Sequence, residues 1–150
     1  MRDSANDSEV RVDMGYRTPQ NLESYRNYLE QQASQGNDIN LLICADENRK
    51  GAISLLEEDK VSRVAEYGLW IAPEHQNEGY GADASEEIID FAFNQMNYNK
   101  VMARVHEDNK ASQKMVESIG LKKEGVLRDH TFRDGEYKDM IYYGILKDEW

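Results

Sequence analysis

The chain has 150 residues, 39% hydrophobic and 31% charged, which suits one globular domain with one substantial core. Lys and Arg total 18 against 29 Asp and Glu, and a formal charge of −11 disfavours nucleic acid or an anionic membrane as partner. No apolar run reaches membrane-span length and the first residues lack a signal-peptide pattern, so a soluble cytoplasmic protein is expected. The single Cys44 excludes an internal disulfide or a Cys-rich zinc site, and within Leu41-Leu42-Ile43-Cys44-Ala45 it reads as a core thiol. The acidic residues are dispersed, which fits either a high-salt habitat or an ordinary acidic protein.

Residues 1–16 are polar and aperiodic. Thr18-Pro19 offers a helix start, and Leu22, Tyr25, Tyr28 and Leu29 continue it to about residue 35, before Gly36-Asn37. Strand-like runs at 40–45, 51–57 and 63–71 have short connections, which predict an antiparallel meander. A loop with Pro73 leads to a helix over 81–97, striped by Ala84, Ile88, Ala92 and Met96. The strand expected at 100–106 then returns parallel to 63–71, because a helix separates them. A short helix over 111–119 stops at Gly120, and Asp134-Gly135 joins 122–133 to 136–147 as a hairpin. The fold class is therefore α/β, one mixed sheet flanked by helices, in a single domain.

Gly79 and Gly81 stand where a strand hands over to a helix. Glycines let an anion approach the backbone, and the N–H groups and dipole of the helix start supply partial positive charge without a lysine. Gly79-Tyr80-Gly81-Ala82-Asp83-Ala84 also satisfies a dinucleotide fingerprint. That motif requires its first glycine directly after a buried parallel strand, whereas Ala72 to Glu78 intervene here. No G-K-[ST] follows, so a triphosphate P-loop is excluded.

The segment Gln76-Asn77-Glu78-Gly79-Tyr80-Gly81, between strand and amphipathic helix, resembles the signature of the GNAT superfamily of N-acetyltransferases. Glu107-Asp108-Asn109-Lys110-Ala111-Ser112 is similar to that superfamily's Asn-x-x-Ser helix entry, and Ile119-Gly120-Leu121 to its Leu-Gly-Phe. The hairpin Phe132 to Tyr137 and Tyr143 are similar to the RimJ/RimL-like branch, which acetylates protein N-termini. The resemblance covers about residues 18–150 and implies an acetyl-CoA-dependent N-acetyltransferase with no metal.

On that resemblance, Gln76, Asn77, Glu78, Gly79, Tyr80, Gly81 and Ala82 hold the cofactor's pyrophosphate, mostly through main-chain N–H groups. The strands at 63–71 and 100–106 splay apart, and main-chain groups near Trp70 and Ile71 pair with the pantetheine arm. Asn109 hydrogen-bonds that arm, and Ser112 lies near the sulfur. Alternation places Glu66 with Gly68 and Trp70 on one strand face, so Glu66 is a candidate base, acting through water. A half-exposed strand glutamate is the plain alternative. Many relatives use a tyrosine in the second helix as the acid; by register that position is Val116, so Ser112 is the preferred substitute and Tyr143 a second. The competing reading is that Ser112 caps its helix or bonds a backbone carbonyl. His106, at a strand end near Asn109, is the one histidine well placed to act, with a surface imidazole as the plainer reading, and His75 and His130 have no metal spacing.

Glu78 puts a carboxylate in the pyrophosphate loop, where relatives often have a basic or neutral residue. Relatives also begin with a strand and helix that residues 1–17 do not reproduce. A sheet edge left bare at 40–45 would invite a homodimer. The acceptor is expected to be a small-molecule or peptide amine, and the acidic surface suits a cationic one. Two other functions fit the residues: an acyl-CoA-binding protein without turnover, suggested by Val116 and Glu78, and a dinucleotide oxidoreductase.

Overall fold

The computed structural model describes residues 38–45 and 48–150, so the helix expected at 19–35 lies outside the described residues. The elements are β1 (Ile39–Ala45), β2 (Asn48–Asp59), β3 (Val64–Ile71), a 3-10 turn (Pro73–His75), α1 (Tyr80–Asn94), β4 (Lys100–His106), α2 (Lys110–Ser118), β5 (Lys122–Arg133) and β6 (Glu136–Leu146). The six strands form one sheet in the order β1-β2-β3-β4-β6-β5. β1, β2 and β3 make the expected antiparallel meander, and β4 lies parallel to β3 across the α1 crossover.

The element ends follow local chemistry. α1 stops at Asn94, earlier than its apolar stripe suggests. Past the Gln95 cap, Asn97 adopts a left-handed φ of 57°, and the Tyr98 N–H bonds back to the Ala92 carbonyl at 3.0 Å, which turns the chain away from the helix axis. α2 begins at its cap, where the Asn109 Oδ1 accepts the Ser112 N–H at 3.0 Å. Its exit passes through Gly120 at φ 102°. The β5–β6 turn has positive φ at both Asp134 (51°) and Gly135 (84°), the geometry of a type I′ turn.

Strand alternation sorts the two sheet faces. Ala65 and Tyr67 of β3, Val101, Ala103 and Val105 of β4, and Ile141, Tyr143 and Ile145 of β6 meet Ile88, Ile89, Ala92, Phe93 and Val116 of the helices. Each large apolar side chain buried there contributes about 1.5–3 kcal/mol. The opposite face carries Glu66, Gly68 and Trp70 from β3, with Met102, Arg104 and His106 from β4. Trp70 packs there with Ala72 and Ala52. Cys44 corrects the sequence reading: its thiol is exposed, not in the core. Alternation turns buried Ile43 inward and its neighbour outward on a strand that pairs only with β2 among the described residues.

One break in the sheet positions the site. β3 and β4 pair only at Val64↔Lys100, Ala65↔Val101 and Glu66↔Met102, and beyond Met102 the two strands diverge. β4 keeps β6 as its other neighbour as far as His106↔Met140, so the gap opens on one side only.

Candidate active site

The gap between the ends of β3 and β4 is a cleft of about 740 Å³. Its walls include Leu69 and Ile71 from the helix-facing side of β3, and Trp70, Arg104 and His106 from the other face. The opening therefore reaches through the sheet, with α1 and α2 on one side.

The loop before α1 lines the cleft with His75, Gln76, Asn77 and Gly79. Gly79 is the N-cap of α1 at φ 90°, a conformation that L side chains rarely adopt. No side chain caps this helix, so its first-turn N–H groups and positive dipole end are directed at the cleft mouth. The Gln76 side chain braces the loop by donating to the Ile71 carbonyl at 3.2 Å. That bond leaves the rest of the diverging β3 edge, from Tyr67 onward, without a β-strand on its β4 side. Gly51 of β2 lets Trp70 come close: a Cβ there would stand 2.1 Å from the Trp70 carbonyl oxygen.

Of the residues expected to hold the cofactor, Trp70, Ile71, Gln76, Asn77, Gly79, Tyr80, Gly81, Ala82, Asn109 and Ser112 all line this cleft. Glu78 does not. Its exposed side chain turns toward His75, with Oε1 at 3.8 Å from Nδ1. Asn109 commits its Oδ1 to the α2 cap, whereas Ser112 contributes only its main-chain N–H to that cap. The Ser112 hydroxyl is thus not the helix cap that the competing sequence reading made it.

Glu66 is 7% exposed and is not on the cleft wall. Its Oε1 and Oε2 lie 2.8 and 2.7 Å from the Arg104 Nε. Burial pushes its carboxyl above the ordinary value, and the hydrogen bond and charge of Arg104 pull it partly back. Tyr143 is not on the cleft wall. It is buried on the core face, and its hydroxyl donates to Glu117 at 3.0 Å. Desolvation and that carboxylate raise it to about 12, far from a useful acid at neutral pH. Val116 is 2% exposed in the core.

Sequence reasoning passed over Arg104, Arg133 and Asp108, all on the cleft wall. The Arg133 Nη1 stands 3.5 Å from the Asp108 Oδ1. Arg104 was findable by alternation, since it shares a strand face with Met102 and His106. Arg133 was not, because only the β5–β6 hairpin's path brings it to the end of β4. The His106 Nδ1 lies 3.4 Å from the Thr131 Oγ1, so this imidazole is half-buried at the cleft rather than a plain surface group. The 3-10 turn at Pro73–His75 and the antiparallel β2–β3 pair separate this loop from a dinucleotide turn, which follows a parallel strand directly. Among the described residues no helix is long and apolar enough to cross a membrane.

Comparison with known proteins places this geometry. A family model described as "Acetyltransferase (GNAT) domain" matches residues 3–122. A Bacillus subtilis protein named "Putative ribosomal N-acetyltransferase YdaF" is 33% identical over 136 residues, covering 88% of this chain and 74% of its own. The "Spermidine N(1)-acetyltransferase" of Vibrio cholerae is 30% identical over 106 residues, covering 71% of this chain and 61% of its own. A solved structure described as "Probable acetyltransferase" superposes with a TM-score of 0.81 at 33% identity, over 88% of this chain and 77% of that one. The Vibrio cholerae spermidine N-acetyltransferase in complex with CoA and spermine shares the fold at a TM-score of 0.91 and 22% identity, over 99% of this chain and 88% of that one. The chain belongs to the GNAT acetyltransferase family and is an acetyl-CoA-dependent N-acetyltransferase.

Proposed function

We propose that this chain, as a single catalytic domain, transfers acetyl from acetyl-CoA to a primary amine by direct attack within a ternary complex. The observation that carries this reading is the end of β3–β4 pairing at Glu66↔Met102, which leaves a cleft open to both sheet faces. The cofactor enters along the helix side, its pyrophosphate on the loop from Gln76 to Ala82 and its pantetheine arm along the unpaired edge of β3. The acceptor enters from the face of Trp70, Arg104 and His106. A neutral amine nitrogen attacks the acetyl carbonyl carbon, the C–S bond breaks, the nitrogen loses its proton, and the CoA thiolate takes one up.

Ser112 is the proposed donor to that thiolate, being a cleft-lining hydroxyl not used as the helix cap. Glu66 is the proposed base. It acts through water beside Gly68, where an added Cβ would meet nothing within 4 Å. The acceptor is an amine of a small molecule or of a peptide N-terminus, and the setting is cytoplasmic. A homodimer through β1 is proposed as well, because β1 pairs on one side only among the described residues. A monomer by sedimentation at micromolar protein would count against it.

Initial rates with both substrates varied test the mechanism. Intersecting double-reciprocal lines are expected, with Ser112→Ala lowering kcat and Glu66→Gln shifting the pH profile. Parallel lines, or an acetylated protein by mass spectrometry, would replace direct attack by a two-step route. CoA binding without consumption over a broad amine panel would instead favour a non-catalytic acyl-CoA-binding protein.

A further inference from the structure

The cleft's acceptor side carries a cation, Arg104, to which the acetyl-transfer reading gives no role. Arg104 is the first cleft-facing residue of β4 beyond the last β3–β4 pair, so it stands at the apex of the opening. Its partner Glu66 lies beneath it, with a side chain 9% exposed against 41% for Arg104. The ion pair is therefore oriented. Its anion is sunk into the sheet, and its cation faces the cleft. Glu66 contacts Nε, and the Tyr142 side chain, across from Arg104 on β6, takes a second guanidinium contact. A guanidinium has five N–H donors in a fixed fork, so these two contacts still leave further donors on the terminal nitrogens.

The space in front of this group is open, because a Cβ at Gly68, on the same face of β3, would meet nothing within 4 Å. The other charged cleft residues do not reverse the sign. Asp108 is matched by Arg133, at 3.5 Å. Beyond these, the titratable groups on the wall among the described residues are His75, His106 and Tyr80. A cleft wall of this character in a chain of formal charge −11 is a local exception, built where the acceptor enters rather than where the pyrophosphate sits.

We infer that Arg104, held in place by Glu66, reads an anionic carboxylate on the acceptor, so that the preferred substrates are amines bearing a nearby carboxylate and not polyamines. This rests on the acetyl-transfer reading and narrows its acceptor. The second ammonium of a polyamine would meet like charge at Arg104, whereas a carboxylate would form a charge-assisted pair with the guanidinium fork. Free amino acids and peptides that begin with acidic residues share this chemistry.

The test is kcat/KM for matched acceptors that differ only in charge: peptides led by Asp or Glu against their Asn or Gln counterparts, aspartate against asparagine, and spermidine alongside. Wild type is expected to prefer the carboxylate member by about 5- to 30-fold and to use spermidine worst. The peptide and amino-acid arms show which source is taken. In Arg104→Met the preference should collapse toward unity, mainly through KM, and Arg104→Lys should restore part of it. CoA affinity, measured by calorimetry, checks that these variants fold. In Glu66→Gln the preference should weaken with Arg104 intact, since a merely structural Glu66 would leave it unmoved. Turnover with no carboxylate preference, or with spermidine as the best acceptor, overturns the inference while leaving acetyl transfer standing. No turnover with either member of any pair overturns both.

Discussion

Gly79 and Gly81 are two residues apart, yet the structure assigns them different physical roles, and alanine at each should separate the roles. Gly79 sits at φ 90° in open space, so alanine there meets no atom but must hold a left-handed backbone. That conformation costs an L residue about 1–2 kcal/mol. At this chain length each kcal/mol moves Tm by about 2–4 °C, so Gly79→Ala should lower Tm by about 2–8 °C. Gly81 is helical, and its added Cβ would sit 3.7 Å from side-chain carbons of Ile71 and Leu69, an ordinary contact. Alanine there should be neutral or gain up to about 1 kcal/mol of helix propensity. Relaxation of the Gly79 strain would turn the first-turn N–H groups away from the cleft, where we propose that the pyrophosphate sits. Losing one charge-assisted hydrogen bond, about 1.5–3 kcal/mol, weakens CoA roughly 10- to 150-fold. Thermal melts of the free protein and calorimetric titration with CoA measure both effects. Equal destabilisation by the two variants, or Gly79→Ala at full stability and affinity, would refute the assignment of conformational strain to Gly79 alone.

Gly51→Ala should cost roughly 1–3 kcal/mol and weaken CoA as well, because its Cβ would stand 2.1 Å from a main-chain oxygen at Trp70 and push the cofactor-facing end of β3; urea unfolding and CoA titration would show both losses together. For Glu66 the sign follows from burial, which holds its carboxyl above 4.5 in the folded chain. The native state therefore binds this proton more tightly than the unfolded chain does. Wild type should lose stability relative to Glu66→Gln as pH rises from 4.5 through the folded value. Urea midpoints of the two proteins across that window measure it, and a relative gain for wild type would mean that pairing with Arg104 outweighs burial. Tyr143→Phe should keep kcat/KM and lose about 0.5–1.5 kcal/mol of stability with its bond to Glu117; a fall in kcat would return this tyrosine to the mechanism.

The order of elements, the meander, the crossover, the I′ hairpin and the loop at Gln76 to Gly81 could be read from the chain by itself, because periodicity, glycine and short connections are local signals. Their ends were less legible. α1 stops short because Asn97 takes a left-handed φ that no apolar stripe reveals. Cys44 was misplaced because an apolar run does not show that its strand pairs on one side only among the described residues. Side-chain partners across the sheet were beyond reach for the same reason. Alternation put Glu66 on a face with Gly68 and Trp70, but the parallel register with β4 decided that Arg104 would stand over it. The arrival of Arg133 at the end of β4 likewise depends on how distant segments meet, whereas the turn of Glu78 toward His75 and the use of the Asn109 oxygen as a cap are contacts made within three residues. Sequence alone thus determined the family and a glycine loop before α1. Tertiary structure decided the charge of the cleft wall at Arg104, where we propose that the acceptor enters, because that charge is set by which member of an ion pair is buried.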